Sequence, residues 1–182
     1  MKTALLVIDM QMLMQENIDK GRDYTSHEIK THIPALLSAF RAAGKPVFHI
    51  RHQQSEKMAH VYPNKESFYP MPCAEAIKGE TVLYKTTSSA FASTDLADRL
   101  RKEGISRLII TGGVAAFCIN STVRAGKDLG FDVVIVKDAL LSFDLPASNL
   151  SAQQILDTTT AILAAGFGPV VDTETVLRSY IS

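Results

Sequence analysis

Three residues of this 182-residue chain have side chains suited to nucleophilic chemistry and occupy equivalent places in its pattern: Asp9, Lys85 and Cys118. Ala4 to Ile8 is a run apolar on both faces that ends in Asp9, and Thr81 to Tyr84 reads as a strand that ends in Lys85. Arg107 to Thr111, with Leu108, Ile109 and Ile110 at its centre, leads through Gly112 and Gly113 into the turn Val114 to Phe117 and then Cys118. A helix is expected to start at Cys118, with Ile119, Val123, Ala125 and Leu129 on one face and Gly130 as its stop. A thiol in the first turn of a helix faces unpaired N–H groups and the positive end of the dipole, which favour the reactive thiolate. Each residue also has an ordinary reading. Cys118 fits as a small buried hydrophobe, Asp9 as a turn cap and Lys85 as a solvated strand end.

The surrounding elements decide whether the three can meet. Residues 26 to 43 read as a helix, with Ile29, Ile33, Leu36, Leu37 and Phe40 at helical spacing and Gly44 and Pro46 as stop signals; Pro34 marks either a kink or the true first turn. A strand at Val47 to Ile50, the Lys85 strand and a helix opening near Thr94 follow. Beyond the Cys118 unit come a strand at Asp132 to Val136, a helix at Ser151 to Ala165 and a short strand at Pro169 to Val171. Helices alternating with apolar strands predict a three-layer αβα fold, a doubly wound, mainly parallel, six-stranded Rossmann-like sheet forming one domain over residues 1 to 182. In such a sheet the ligand crevice lies outside the carboxyl ends of the strands, where Asp9, Lys85 and the turn before Cys118 would converge. Residues 53 to 79, with Pro63, Pro70, Pro72, Tyr62, Phe68 and Tyr69, and residues 140 to 150 fall outside the alternation. The first is read as the wall of a pocket or a surface that packs against a second subunit, or as a surface loop with its own small cluster.

Nearly end to end, the chain resembles the isochorismatase-like cysteine hydrolases. The resemblance is carried by the opening ALLVIDMQ, by RAAGKPV and HIRH, by KTTSSAF, by ITGGVAAFCINSTVRAGKDLGFDVVIVKDA and by VVDTETVL. It implies a catalytic triad of Asp9, Lys85 and Cys118, with Ser89, Ala90 and Phe91 completing the lysine motif. The expected chemistry is attack of the Cys118 sulfur on a small amide, carbamoyl or ureido carbonyl, a thioester intermediate, and an oxyanion held by backbone N–H groups of Val114, Ala115, Phe117 and Cys118. The family also implies a non-proline cis peptide at Val114–Ala115. Gln11, Arg51, His52 and Phe91 are the expected substrate-binding residues.

No cofactor and no metal are expected. The metal-binding branch of the family uses an aspartate and two histidines, whereas the stretch His49, Ile50, Arg51, His52 holds no aspartate, and the spacing to His60 matches no compact zinc motif. Zero formal net charge argues against nucleic acid or an anionic membrane as partner, so the expected partner is a small substrate. The resemblance implies a homo-oligomer, a dimer or tetramer. Cys73 and Cys118 make no disulfide framework, the apolar run before Asp9 is too short for a signal-peptide core, and a cytoplasmic protein is expected. Two other functions compete. One is vinyl ether hydrolysis of the isochorismate type, which family members perform without a cysteine nucleophile here. The other is a reactive-thiol sensor, which needs Cys73 within reach of Cys118.

Overall fold

A computed structural model describes residues 1–55 and 61–181. Six strands form one sheet in the order β3-β2-β1-β4-β5-β6, and every neighbouring pair is parallel. They are β1 (Lys2–Ile8), β2 (Val47–His52), β3 (Thr81–Lys85), β4 (Ile105–Gly113), β5 (Asp132–Leu141) and β6 (Val170–Val171). The order reverses between β1 and β4, so the crevice expected at a topological switch point opens beyond Ile8 and Gly113.

Strand alternation builds a core on each face. Ala4, Leu6 and Ile8 point to one side, where they meet Leu96 and Leu100 of α3 (Leu96–Lys102), Val123 of α4 (Asn120–Asp128) and Leu156 and Leu163 of α5 (Ala152–Gly166). Leu5 and Val7 point to the other, against Ile29, Ile33, Leu36, Leu37 and Phe40 of α2 (Ile29–Ala42), Met14 of α1 (Met12–Asp19) and Val176 of α6 (Thr173–Ser179). The sheet is therefore covered on both faces, as the apolar runs require.

Several boundaries differ from the sequence reading. Pro34 lies inside α2, which starts five residues earlier because Ile29 and Ile33 are both buried there. Ser151 closes a capping box with Gln154, a cap the sequence reading did not single out; α3 has Asp95 rather than Thr94 at its N-cap, and the Thr94 hydroxyl accepts the Leu96 N–H. Strand β5 runs on to Leu141 through a wide bulge: Ile110 pairs with Ile135 but Gly112 with Leu140, and the Thr111 hydroxyl bridges to the Ala139 carbonyl. Helices α1 and α6 have no counterpart in the sequence reading, because eight and seven residues with one or two buried positions carry too little periodicity.

Candidate active site

The geometry begins at the close approach of β1 and β4. Gly112 has φ +112°, and a Cβ there would lie 2.1 Å from the Ile8 carbonyl oxygen, so only glycine lets the two strand ends come together. Asp9 follows with φ +50°, a left-handed conformation that aspartate tolerates, and its N–H donates to the Ile50 carbonyl at 2.8 Å. This turn aims the carboxylate across the end of the sheet.

Lys85 ends the edge strand β3 and must cross β2 to reach that carboxylate. Strands are spaced about 4.8 Å apart, so only a long side chain spans the gap. It is fully buried, and its Nζ lies 2.7 Å from Asp9 Oδ2, 3.2 Å from Cys118 Sγ, 3.2 Å from His52 Nδ1 and 3.1 Å from the Thr87 carbonyl. The solvated strand-end reading of Lys85 is thereby excluded. Asp9 is also buried, and its Oδ1 has no hydrogen-bond partner among the described residues. The Thr87 carbonyl was not foreseen; as a backbone acceptor it leaves no side-chain signature.

Cys118 lies in a single π-helical turn, Ala115–Ile119, and α4 starts only at Asn120, which corrects the expected helix start. The Val114 carbonyl accepts from both the Phe117 and Ile119 N–H groups, at 3.0 and 3.3 Å, and the Asn120 N–H reaches back to Ala115. The Phe117 N–H is thus occupied and does not serve an oxyanion. The Phe117 ring is exposed. The non-proline cis peptide is Gly113–Val114, one bond earlier than the expected Val114–Ala115, directly after the last residue of β4 that pairs with β5.

The resting thiol also differs from expectation. Burial first, and the Asp9 charge second, push the Cys118 pKa up to about 12, outweighing the Lys85 ammonium that lowers it. Cys118 is a neutral thiol beside a carboxylate, not a standing thiolate. Two residues ahead of a nine-residue helix, the thiolate gains less from the dipole than it loses with the removal of water.

The expected substrate-binding residues divide. His52 reaches the site through Nδ1. Gln11 is buried, and its amide accepts from His52 N at 2.7 Å and donates to His52 O at 2.9 Å and Phe68 O at 2.7 Å. It therefore works as a clamp. Arg51 alternates onto the face of His49, away from Cys118. Phe91 is half-buried, stacks on Phe131 and packs against Gly126 of α4 at the margin of the core. Arg51 and Phe91 lack the one cue that pattern could not supply, the direction in which each side chain points.

His49 and His52 point to opposite faces of the sheet and cannot share one ligand sphere: His49 Nε2 bonds Glu80 at 2.9 Å, within the α2-side core. Among the described residues no group of three or more histidine, cysteine, aspartate or glutamate side chains could hold a metal ion. His60 lies outside the described residues, as does part of the 53 to 79 stretch. Both cysteines are free; Cys73 packs on the α2 face and Cys118 on the α4 face, with the sheet between them. Among the described residues no helix is long and apolar enough to cross a membrane.

A parallel α/β scaffold with a buried Asp and Lys and a half-buried Cys gathered at its switch point fits a class of small hydrolases rather than a nucleotide-binding domain. The chain belongs to the isochorismatase family of hydrolases: residues 3–175 match the family profile described as Isochorismatase domain. The isochorismatase family protein YddQ of Bacillus subtilis (strain 168) is 31% identical over 183 residues, covering 98% of this chain and 100% of that protein. A crystal structure assigned to the family, from Chromobacterium violaceum ATCC 12472, superposes with TM-score 0.91 at 30% identity, covering 98% and 93% of the two chains. Nicotinamidase 3 of Arabidopsis thaliana is 26% identical over 191 residues, covering 98% of this chain and 88% of that protein.

Proposed function

We propose that the protein is a cysteine amidohydrolase that cleaves a C–N bond in a small amide, carbamoyl or ureido compound. The observation that carries the reading is the contact chain Asp9 Oδ2, Lys85 Nζ, Cys118 Sγ, at 2.7 and 3.2 Å, in which the buried Asp9 and Lys85 meet a half-buried sulfur beyond the ends of the strands. The similarity to a nicotinamidase supports the amide class. A cysteine at position 118 weighs against vinyl ether hydrolysis, which does not need a sulfur nucleophile.

Because the thiol rests neutral, the first step is proton transfer from Cys118 to Asp9, with the Lys85 ammonium stabilising the sulfur anion that forms. The sulfur attacks the substrate carbonyl, and the oxyanion is met by N–H groups of the 114–118 turn other than that of Phe117. As the C–N bond breaks, Asp9 returns the proton to the leaving nitrogen and a thioester remains. Water then gives its proton to Asp9, its oxygen takes the acyl group, and the released thiolate recovers the proton. Neither the cis peptide nor an oligomer enters these steps.

The experiment is ammonia or amine release from a panel of small amides, carbamoyl compounds and ureides by wild type, Cys118→Ala and Cys118→Ser. Turnover by wild type that vanishes in both variants is the expected result. A wild type inert across the panel while Cys118 is alkylated much faster than Cys73 would instead favour a thiol activated for other chemistry.

A further inference from the structure

The Lys85 ammonium carries three protons and has four acceptors around it: Asp9 Oδ2 at 2.7 Å, the Thr87 carbonyl at 3.1 Å, and His52 Nδ1 and Cys118 Sγ, both at 3.2 Å. The carboxylate and the carbonyl take two. The third is shared between an imidazole nitrogen and a sulfur at equal distance. Nζ offers only donors, so His52 Nδ1 must present a lone pair, and the imidazole is neutral with its proton on Nε2. Burial and the facing ammonium both lower the His52 pKa, which keeps it in that form. Among the described residues the charged or titratable groups that meet at this point are Lys85 from β3, Asp9 from the end of β1, Cys118 from the π turn and His52 itself.

The imidazole is held there deliberately. The Gln11 amide pairs with both the N–H and the carbonyl of His52, as a neighbouring strand would, and ties them to Phe68 O. Backbone bonds from Met12 N to Tyr69 O and from Met71 N to Met10 O strap the same segment across the turn that follows Asp9. The register places His52 opposite Lys85 on the adjacent strand.

We propose that His52 is a positioning residue that keeps the site in its protonated-thiol resting form: its Nδ1 lone pair accepts the hydrogen bond of the third Lys85 N–H until the Cys118 sulfur becomes an anion and accepts that bond instead. A neutral thiol is a weak acceptor, so a fully buried ammonium beside it needs another partner. When Asp9 takes the thiol proton, that N–H of Lys85 turns from nitrogen to sulfur; it stays on Lys85, and only one proton changes owner. The inference rests on the reading of Asp9, Lys85 and Cys118 as the reacting groups.

Removing the acceptor has an unusual consequence. In His52→Leu the ammonium has three acceptors for three protons, the sulfur being one of them, so the anion is favoured earlier. The test is the rate of Cys118 alkylation by iodoacetamide in a Cys73→Ser background. The expected result is an alkylation rate at neutral pH about tenfold higher in His52→Leu, equivalent to a drop of about one unit in thiol pKa. In His52→Asn, whose side-chain oxygen restores an acceptor near Nδ1, the rate returns to that of the parent. A purely structural role would slow both variants or leave both unchanged, and either outcome overturns the proposal. Should His52→Leu fail to fold, nitrogen NMR of the parent decides: an Nε2–H tautomer at neutral pH is required, and an Nδ1–H tautomer rejects it. Alkylation needs no substrate. An inert amide panel with this His52 pattern intact would therefore sink the amide reading alone, and an active panel without it would sink this proposal alone.

Discussion

Asp9 meets two demands that few side chains satisfy together. Its backbone adopts φ +50° and its side chain holds a buried charge against Lys85 at 2.7 Å. Asparagine also tolerates the left-handed conformation, and its amide oxygen still accepts from Lys85, so Asp9→Asn separates proton transfer from shape. Its kcat on any compound hydrolysed by the wild type should fall by about 10³-fold, the range set by general acid–base catalysis, with little change in KM. An equal rise in KM with kcat preserved would assign Asp9 to binding instead. At this scale the neutral Cys118 is the informative disagreement with the dipole argument. The spacing of strand, glycines and cysteine was enough to locate the sulfur, but its protonation depends on how much water and which charges surround it.

Among the elements, the meeting of β1 and β4 carries the site. Asp9 leaves one strand and the Cys118 turn leaves the other, and Gly112 lets them approach. Gly112→Ala places a methyl group on the Ile8 backbone and forces an L side chain to φ +112°. The expected loss is at least about 3 kcal/mol in urea unfolding, together with loss of activity in whatever fraction stays folded. A loss under about 1 kcal/mol would mean that the strand ends part easily and that the glycine is incidental. Helix α1 illustrates the limit of pattern at this scale, since its eight residues bury only Met14 and take their place from the preceding turn.

The whole molecule couples its acid stability in part to groups away from the proposed chemistry. Glu80 receives two guanidinium bonds from Arg41, at 2.7 and 2.9 Å, and one from His49 Nε2–H, and these with the Ile77 N–H hold its pKa at about 2. A carboxylate held below its ordinary value contributes stability above about pH 4.5 that is lost as the pH falls toward 2. His49 is lowered as well, mainly by burial, so the unfolded chain binds its proton first and stability already falls as the pH drops below about 6.5. The urea midpoint should therefore decline in the histidine range before any carboxylate titrates. His49→Gln, which keeps an N–H donor for Glu80 but cannot take up a proton, should make that first part of the curve shallower, leaving the share of His52, which burial also lowers. An unchanged slope in this variant would remove His49 as its source.

Local pattern was enough for the alternating strand and helix order, the parallel sheet with both faces covered, and the three candidate residues at or just beyond strand ends, because apolar periodicity and turn residues are local signals. It also carried the family, through motifs that lie along nearly the whole chain. The tertiary structure decided what local signals cannot encode. It turned Gln11 into a clamp on His52, turned Arg51 to the far face and packed Phe91 against α4. It also set four acceptors around one buried ammonium and left the cysteine protonated, since direction, dielectric and charge balance arise only when distant segments exclude water from the same point.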